Sequence, residues 1–314
     1  MSDFPIPAEL QTIRDWVRWG ASSFGREQLF FGHGTDNAFD EALMLVLHAL
    51  ELDYGIPEAF LDAKVTQEEK EAIAAILERR IKQREPGAYI TGHMRFAGLD
   101  FIVNSAVLVP RSPIAELIHI GFEPWLEADS VNSVLDLCTG CGCIGIACAY
   151  AFEDAYVDLA DISQSALEVA QQNIDKHHME SRVTAIGSDV FSGLEDKKYD
   201  LIVSNPPYVS TEEYETLPSE YHQEPKLGLE CGTDGMDVVS RMLKEASSHL
   251  NPGGILVVEV GASAELLMAK YPEVPFLWID FENGGDGVFV LTDEQLAEHQ
   301  AYFDAGVNQE IQHS

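Results

Sequence analysis

Tyr199-Asp200-Leu201-Ile202-Val203-Ser204-Asn205-Pro206-Pro207-Tyr208 is an apolar run that ends abruptly in two prolines and an aromatic ring. The run reads as a buried strand. Each proline holds φ at about −65° and carries no N–H, so a strand ladder cannot continue through the pair. The Asn205 amide and the carbonyls of Pro206 and Pro207 are therefore left unpaired at a strand end. Such a corner can accept hydrogen bonds from a planar –NH2 group, with Tyr208 beside it as a flat wall. Taken alone, the same residues also describe a proline-rich turn after a strand. The upstream chain decides between the two.

Residues 131–137 read as a second buried strand, containing Asp136 and running into Cys138-Thr139-Gly140-Cys141-Gly142-Cys143-Ile144-Gly145. The stretch 144–152 is apolar and alanine-rich, as a packed helix would be. Strand, glycine turn and helix form the nucleotide-binding arrangement, in which glycines let backbone approach a ligand. Gly140, Gly142 and Gly145 fit the G-x-G-x-x-G spacing, so a dinucleotide is one candidate ligand. Asp161, after a strand at 155–160, can accept both hydroxyls of a ribose. To this point a dinucleotide and an adenosyl ligand are equally served. The next strand, 182–187, ends in Ser188-Asp189-Val190-Phe191, suited to reading an adenine edge, and the one after it ends in the prolyl corner. A dinucleotide enzyme has no need of an amide-holding turn there.

This ordering resembles the class I S-adenosylmethionine-dependent methyltransferases, and among them those that modify an exocyclic or side-chain –NH2. A closer resemblance comes from Pro86-Gly87-Ala88-Tyr89-Ile90-Thr91-Gly92, Arg95-Phe96 and Val107-Leu108-Val109-Pro110-Arg111-Ser112-Pro113. Together with Glu224-Pro225-Lys226-Leu227-Gly228-Leu229-Glu230 and Gly232-Thr233-Asp234-Gly235, they are similar to the protein-glutamine methyltransferases of the HemK family. Release-factor enzymes of that family read Pro-Arg-Pro-Asp-Thr-Glu where this chain has Pro110-Arg111-Ser112-Pro113-Ile114-Ala115-Glu116. With Gly92-His93-Met94-Arg95-Phe96, that departure resembles the branch acting on large-subunit ribosomal protein three.

The resemblance implies an α/β class I fold, a Rossmann-like doubly wound sheet with a terminal antiparallel hairpin. It also implies S-adenosylmethionine as cofactor, with Cys138, Thr139, Gly140, Cys141 and Gly142 around its methionine part. Asp136 would support that loop or meet the amino group; Asp161 would hold the ribose, Asp189 and Val190 the adenine. Asn205, Pro206, Pro207 and Tyr208 would hold the target amide, with Asn205 also beside the cofactor. Arg111 would anchor the substrate or pair with Glu116. Glu259 reads as easily as a structural carboxylate, and Phe96 and Val109 as core.

The 314 residues read as three parts: a helical substrate-recognition domain (1–85), a β-hairpin linker (86–125, alternating over 87–109) and the methyltransferase domain (126–314). Thr66-Gln67-Glu68-Glu69 is a capping box opening a helix through Ile73, Ile76, Leu77 and Ile81. Helices are expected at 163–178 and 237–250, and a hairpin at 276–291. Residues after Asp293 read as a loose polar tail.

No apolar run reaches the roughly 18 residues of a membrane span, and the N-terminus lacks a signal-peptide pattern, which suggests a cytoplasmic protein. Against 53 acidic residues there are 19 basic ones, a net charge of −34. That field repels nucleic-acid backbones, so DNA is an unfavourable partner, and it attracts a basic protein such as a ribosomal one. Solubility or habitat accounts for the acidity equally well. Arg79, Arg80, Lys82 and Arg84 are the dense basic cluster, read as a solvated face complementing a helix C-terminus, with ribosomal RNA contact as the alternative. Cys138, Cys141, Cys143 and Cys148 lack the spacing of a zinc knuckle, so no metal is expected. An adenine-amino DNA methyltransferase, a release-factor enzyme and a non-catalytic assembly factor remain the rival readings.

Overall fold

The computed structural model describes residues 6–310, in two compact units. One unit runs to Met94 and includes Val103–Ser105 and Pro218–Gln223; the other comprises Arg95–Ile102, Ala106–Leu217 and the chain from Glu224 onward.

The first unit is built on α1 (Ile13–Arg26), α2 (Ala38–Ala49), α3 (Gln67–Lys82) and a short α4 (Gly87–Thr91). Capping boxes open α1 and α3, Thr12 with Asp15 and Thr66 with Glu69, so orphan N–H groups at both helix starts are satisfied. Trp16, Phe24, Leu45, Leu47, Ile73 and Leu77 are fully buried between these helices. Arg80 is not on a solvated face: it is 1 % exposed, because Glu41 and Glu220 meet it from inside the same unit. The rest of the basic cluster is likewise engaged, Arg79 with Glu85, Lys82 with Glu78, and Arg84 with Glu220 and the Glu27 carbonyl.

The alternating stretch 87–109 forms a hairpin over less of its length than the pattern suggests. Pro86 starts α4, left-handed Gly92 stops it, and only β1 (His93–Phe96) and β2 (Leu99–Ile102) pair as a two-stranded sheet. Phe96 and Val109 are core.

In the second unit the chain runs α5 (Ile114–His119), β3 (Ser133–Leu137), α6 (Cys143–Ala151), β4 (Tyr156–Asp161), α7 (Gln164–Lys176), β5 (Val183–Gly187), β6 (Tyr199–Ser204), α8 (Thr211–Thr216) and α9 (Asp237–His249). It continues through β7 (Leu250–Glu259), α10 (Ala264–Lys270), β8 (Leu277–Trp278), β9 (Val288–Thr292) and α11 (Asp293–Glu310). Seven strands lie in the order β5-β4-β3-β6-β7-β9-β8; the first five are parallel, and β9 and β8 are added antiparallel. This is the doubly wound sheet with a terminal antiparallel hairpin. Leu135, Leu137, Ile202, Leu256 and Val258 pack toward α9, α10 and α11, while Gly145 of α6 sits against Asp136 and Leu159 on the opposite face.

The expected loose tail is a helix. Thr292 and Gln295 exchange side-chain-to-backbone hydrogen bonds at its start, and Leu296 and Phe303 are fully buried in the sheet core. Two apolar residues a heptad apart are enough to dock it, even within a polar sequence.

Candidate active site

Strand register determines which side chains meet. Leu137 of β3 stands beside Ala160 of β4 and Ser204 of β6, and Ser204 beside Val258 of β7. The residues one step further on, Cys138, Asp161, Asn205 and Glu259, therefore leave the sheet at one level. The order of strands reverses between β3 and β6, where a parallel sheet opens a crevice at its carboxyl edge. The Ser204 hydroxyl donates to the Leu137 carbonyl at 2.6 Å, tying the glycine loop to the prolyl corner.

The loop after β3 is stapled from below. Thr139 Oγ1 and the Gly145 N–H both donate to Asp136 Oδ2, at 2.5 and 2.8 Å, and the Gly140 N–H donates to Asp161 Oδ2 at 2.9 Å. Asp136 Oδ1 is buried with no hydrogen-bond partner among the described residues. Burial pushes the Asp136 carboxyl up to about 7, against the pull of those two donors. Burial also raises Asp161, although Ser163 and Gly140 donate to it. Gly140 has φ +57°, and a Cβ there would meet nothing within 4 Å, whereas one on Gly145 would lie 2.2 Å from Leu159. One glycine thus faces open space and the other lets α6 lie close on the sheet.

Cys138 is half-buried with φ +57°, a conformation costly for a residue with a Cβ, and burial pushes its thiol up. The Cys141 side chain is buried beside Cys143, so the loop offers only its backbone there. Val190, beyond β5, is β-branched at φ +53°, a genuine outlier. Its carbonyl accepts from Ser188 Oγ at 2.6 Å. The Asp189 carboxylate pairs with Arg241 at 2.8 Å.

At the corner, Asn205 Nδ2 donates to the Arg111 carbonyl at 3.4 Å. A carbonyl can only accept, so this contact fixes the amide orientation and turns Oδ1 the other way. Among the described residues neither Asn205 Oδ1 nor the Pro206 carbonyl receives a hydrogen bond. The Tyr208 ring lies over Gly261, where a Cβ would come within 2.9 Å of it, and the Tyr208 carbonyl accepts from Ser263 Oγ at 3.0 Å. The chain beyond the corner folds back alongside it, with the Val209 N–H donating to Leu229 and the Cys231 N–H to Val209.

Arg111 reaches this corner through its backbone. Its guanidinium forms a two-point ion pair with buried Glu224, at 2.7 and 2.6 Å. It does not pair with Glu116, whose carboxylate accepts from the N–H groups of Glu282 and Asn283 at the far hairpin. Sequence reasoning gave no weight to Glu224 as Arg111's partner or to the contacts of Glu259. The sequence reads Glu259 as a structural carboxylate; register places it at a strand end level with Asn205.

Two family models match the chain: the PrmC N-terminal domain over residues 15–92 and the methyltransferase small domain over 123–219. The chain is 47% identical over 295 residues to the ribosomal protein uL3 glutamine methyltransferase of Francisella tularensis, a match covering 94% of each chain. It is 49% identical over 291 residues to the protein of the same description from Neisseria meningitidis serogroup B, covering 92% of this chain and 95% of that one. The chain belongs to this family. Among solved structures, the hMettl16 catalytic domain in complex with MAT2A 3'UTR hairpin 6 superposes with a TM-score of 0.50 at 15% identity, covering 72% of this chain and 81% of that one. That likeness concerns the fold alone.

The family's cofactor is S-adenosylmethionine. The residues present fit it: a buried carboxylate oxygen without a donor, a glycine facing open space, and a second carboxylate at the next strand end. Among the described residues, no helix is long and apolar enough to cross a membrane.

Proposed function

We propose that this protein methylates the side-chain amide nitrogen of a glutamine in ribosomal protein uL3, in the cytoplasm. The observation that carries the reading is the corner at Asn205 and Pro206. There Arg111 holds the Asn205 amide so that Oδ1 and the Pro206 carbonyl stay open as paired acceptors. The close relation to uL3 glutamine methyltransferases over nearly the whole chain supports the same substrate.

Bound S-adenosylmethionine supplies the methyl group on a sulfonium, and with it the leaving group. Asp136 and the Cys138–Gly142 backbone hold its amino-acid part, Asp161 its ribose, and the Asp189-Val190 turn its adenine. Asn205 Oδ1 and the Pro206 carbonyl each accept one N–H of the glutamine carboxamide, whose lone pair is otherwise delocalised into its carbonyl. Holding both in-plane hydrogens leaves the lone pair, which stands perpendicular to the amide plane, presented on one face and favours a pyramidal nitrogen in the transition state. Positioning of this kind contributes several kcal/mol, up to about 7–11. Pro207 keeps the corner rigid, and Tyr208 covers the amide plane and excludes water. No base has to act before transfer, because the nitrogen becomes acidic only once alkylated, and the proton it then sheds passes to solvent water.

An acidic surface favours encounter with a basic ribosomal protein, so the rate should fall as salt rises. Incubation with labelled cofactor and, separately, purified uL3, peptide release factor and duplex DNA tests the reading. Label on a uL3 glutamine supports it. Label on release factor or DNA with none on uL3 overturns it, as does binding of cofactor without turnover.

A further inference from the structure

Glu259 ends β7 level with Asn205, which follows the neighbouring β6, and it is 6 % exposed. Its two oxygens serve two different loops. Ser112 Oγ donates to Oε2 at 2.5 Å, and the Tyr208 hydroxyl donates to Oε1 at 3.4 Å. Ser112 in turn accepts from the Ile114 N–H at 3.2 Å, which anchors the line to the start of α5. The other side of the Tyr208 ring is closed by the backbone that follows Glu259. Gly261 has φ +49° and lies under the ring, and it is itself backed by Gly287, where a Cβ would come within 2.1 Å of the Gly261 carbonyl. The phenol is thus located by one carboxylate and one glycine of the same turn.

We propose that Glu259 is a positioning residue of the reaction: as a carboxylate it accepts from both Tyr208 and Ser112, and so fixes the aromatic wall of the amide-holding corner. The proposal rests on reading Asn205–Tyr208 as that corner, and it adds a requirement for charge on Glu259. An ionised carboxylate accepts from both hydroxyls at once. A protonated one must turn one oxygen into a donor, so one of the two contacts reverses direction and the other loses its charge assistance.

The groups facing Glu259 are Ser112 and Arg111 from the segment before α5, Tyr208 from the corner, and Asp286 from the turn before β9. Burial raises the carboxyl to about 7, and Asp286 adds to the rise, while Ser112, Tyr208 and Arg111 oppose it. The ionised fraction therefore grows with pH through about 7. The wall is held by a charged acceptor above that value and more weakly below it.

Two readouts test this on the full-length protein. The first is kinetic: Glu259→Gln keeps the shape and removes the second acceptor, so kcat should fall about tenfold to a hundredfold, the worth of a hydrogen bond to a charged group. S-adenosylmethionine affinity should not change. Wild-type kcat/KM for uL3 should rise through pH about 7 and flatten in the variant. Ser112→Ala should lower kcat less and shift the midpoint upward, because a donor to the ionised form is lost.

The second readout needs no turnover. With 3-fluorotyrosine incorporated, the resonance assigned by its loss in Tyr208→Phe should titrate with the same midpoint, and stop titrating in Glu259→Gln. A Tyr208 resonance that titrates alike in both proteins overturns the proposal, whatever the activity. So does wild-type kcat with an unchanged pH profile in Glu259→Gln. If the resonance couples to Glu259 while uL3 receives no label, the substrate reading fails and the positioning role stands.

Discussion

In the helical unit, the carboxylates of Glu41 and Glu220 go into the interior with Arg80 between them; in the sheet unit, Asp136 is buried and Asp161 half-buried at the end of β4, both without a cation. Arg80 bonds Glu41 at 2.6 Å and Glu220 at 3.2 Å, and donates to the Phe30 carbonyl. Burial opposes ionisation of Glu220, but the Phe30 N–H and Arg80 outweigh it and hold its carboxyl below the usual range. Neither Asp136 nor Asp161 has an ion-pair partner among the described residues, and both are pushed up by burial. A charge buried with its partner is part of the scaffold. A carboxylate buried without one is an unfilled requirement, and such groups mark functional sites. Left-handed non-glycine residues occur in both units, and two of them, Cys138 and Val190, lie in the loops that would hold the cofactor.

The largest effect should come from breaking the paired region. Arg80→Met leaves Glu41 buried without a cation and Glu220 with only the more distant Arg84, a loss of about 3–5 kcal/mol. Urea unfolding followed by amide exchange should locate the loss in α2, α3 and residues 218–223. An effect below about 1 kcal/mol would mean that water reaches these groups after all.

The opposite sign is expected at Asp136. Its carboxyl rises from 3.8 to about 7 on folding, so the folded chain keeps a proton that the unfolded chain loses between those values, and stability falls as pH climbs across that window. Asp136→Asn removes this penalty. Without cofactor at pH 8, the variant should be more stable than wild type by roughly 2–4 kcal/mol, and equally stable at pH 4. Calorimetric titration should show that it binds S-adenosylmethionine at least about tenfold more weakly. Loss of stability at pH 8 would remove the contrast between the two regions.

Cys138→Gly probes the backbone with the smallest change. Relief of the left-handed strain, less the entropy of the added glycine, should stabilise the chain by at most about 1 kcal/mol in thermal unfolding.

Much of this was legible in the chain itself. The largely apolar runs at 131–137, 155–160, 182–187 and 199–204, alternating with helical stretches, announced the parallel sheet. The prolyl corner was legible because its chemistry is local. Arg80 was not, because its burial depends on Glu41 and Glu220, 39 and 140 residues away. Arg111 pointed to the wrong carboxylate for the same reason: Glu116 is near in sequence, while Glu224 lies 113 residues on. Helix α11 could have been found, since Thr292 and Gln295 have capping-box spacing ahead of Leu296 and Phe303. Its polar composition hid it.

The role proposed for Asn205 is to hold the substrate amide, and not merely to build the fold. Its most direct test is Asn205→Ala, assayed by single-turnover methylation of uL3 and by calorimetric titration of S-adenosylmethionine. The expected result is a rate lower by about a hundredfold to a thousandfold, comparable to the loss of one preorganised hydrogen-bonding group, with cofactor affinity within about threefold of wild type. An unchanged rate on uL3, or a rate loss fully explained by lost cofactor binding, would contradict it.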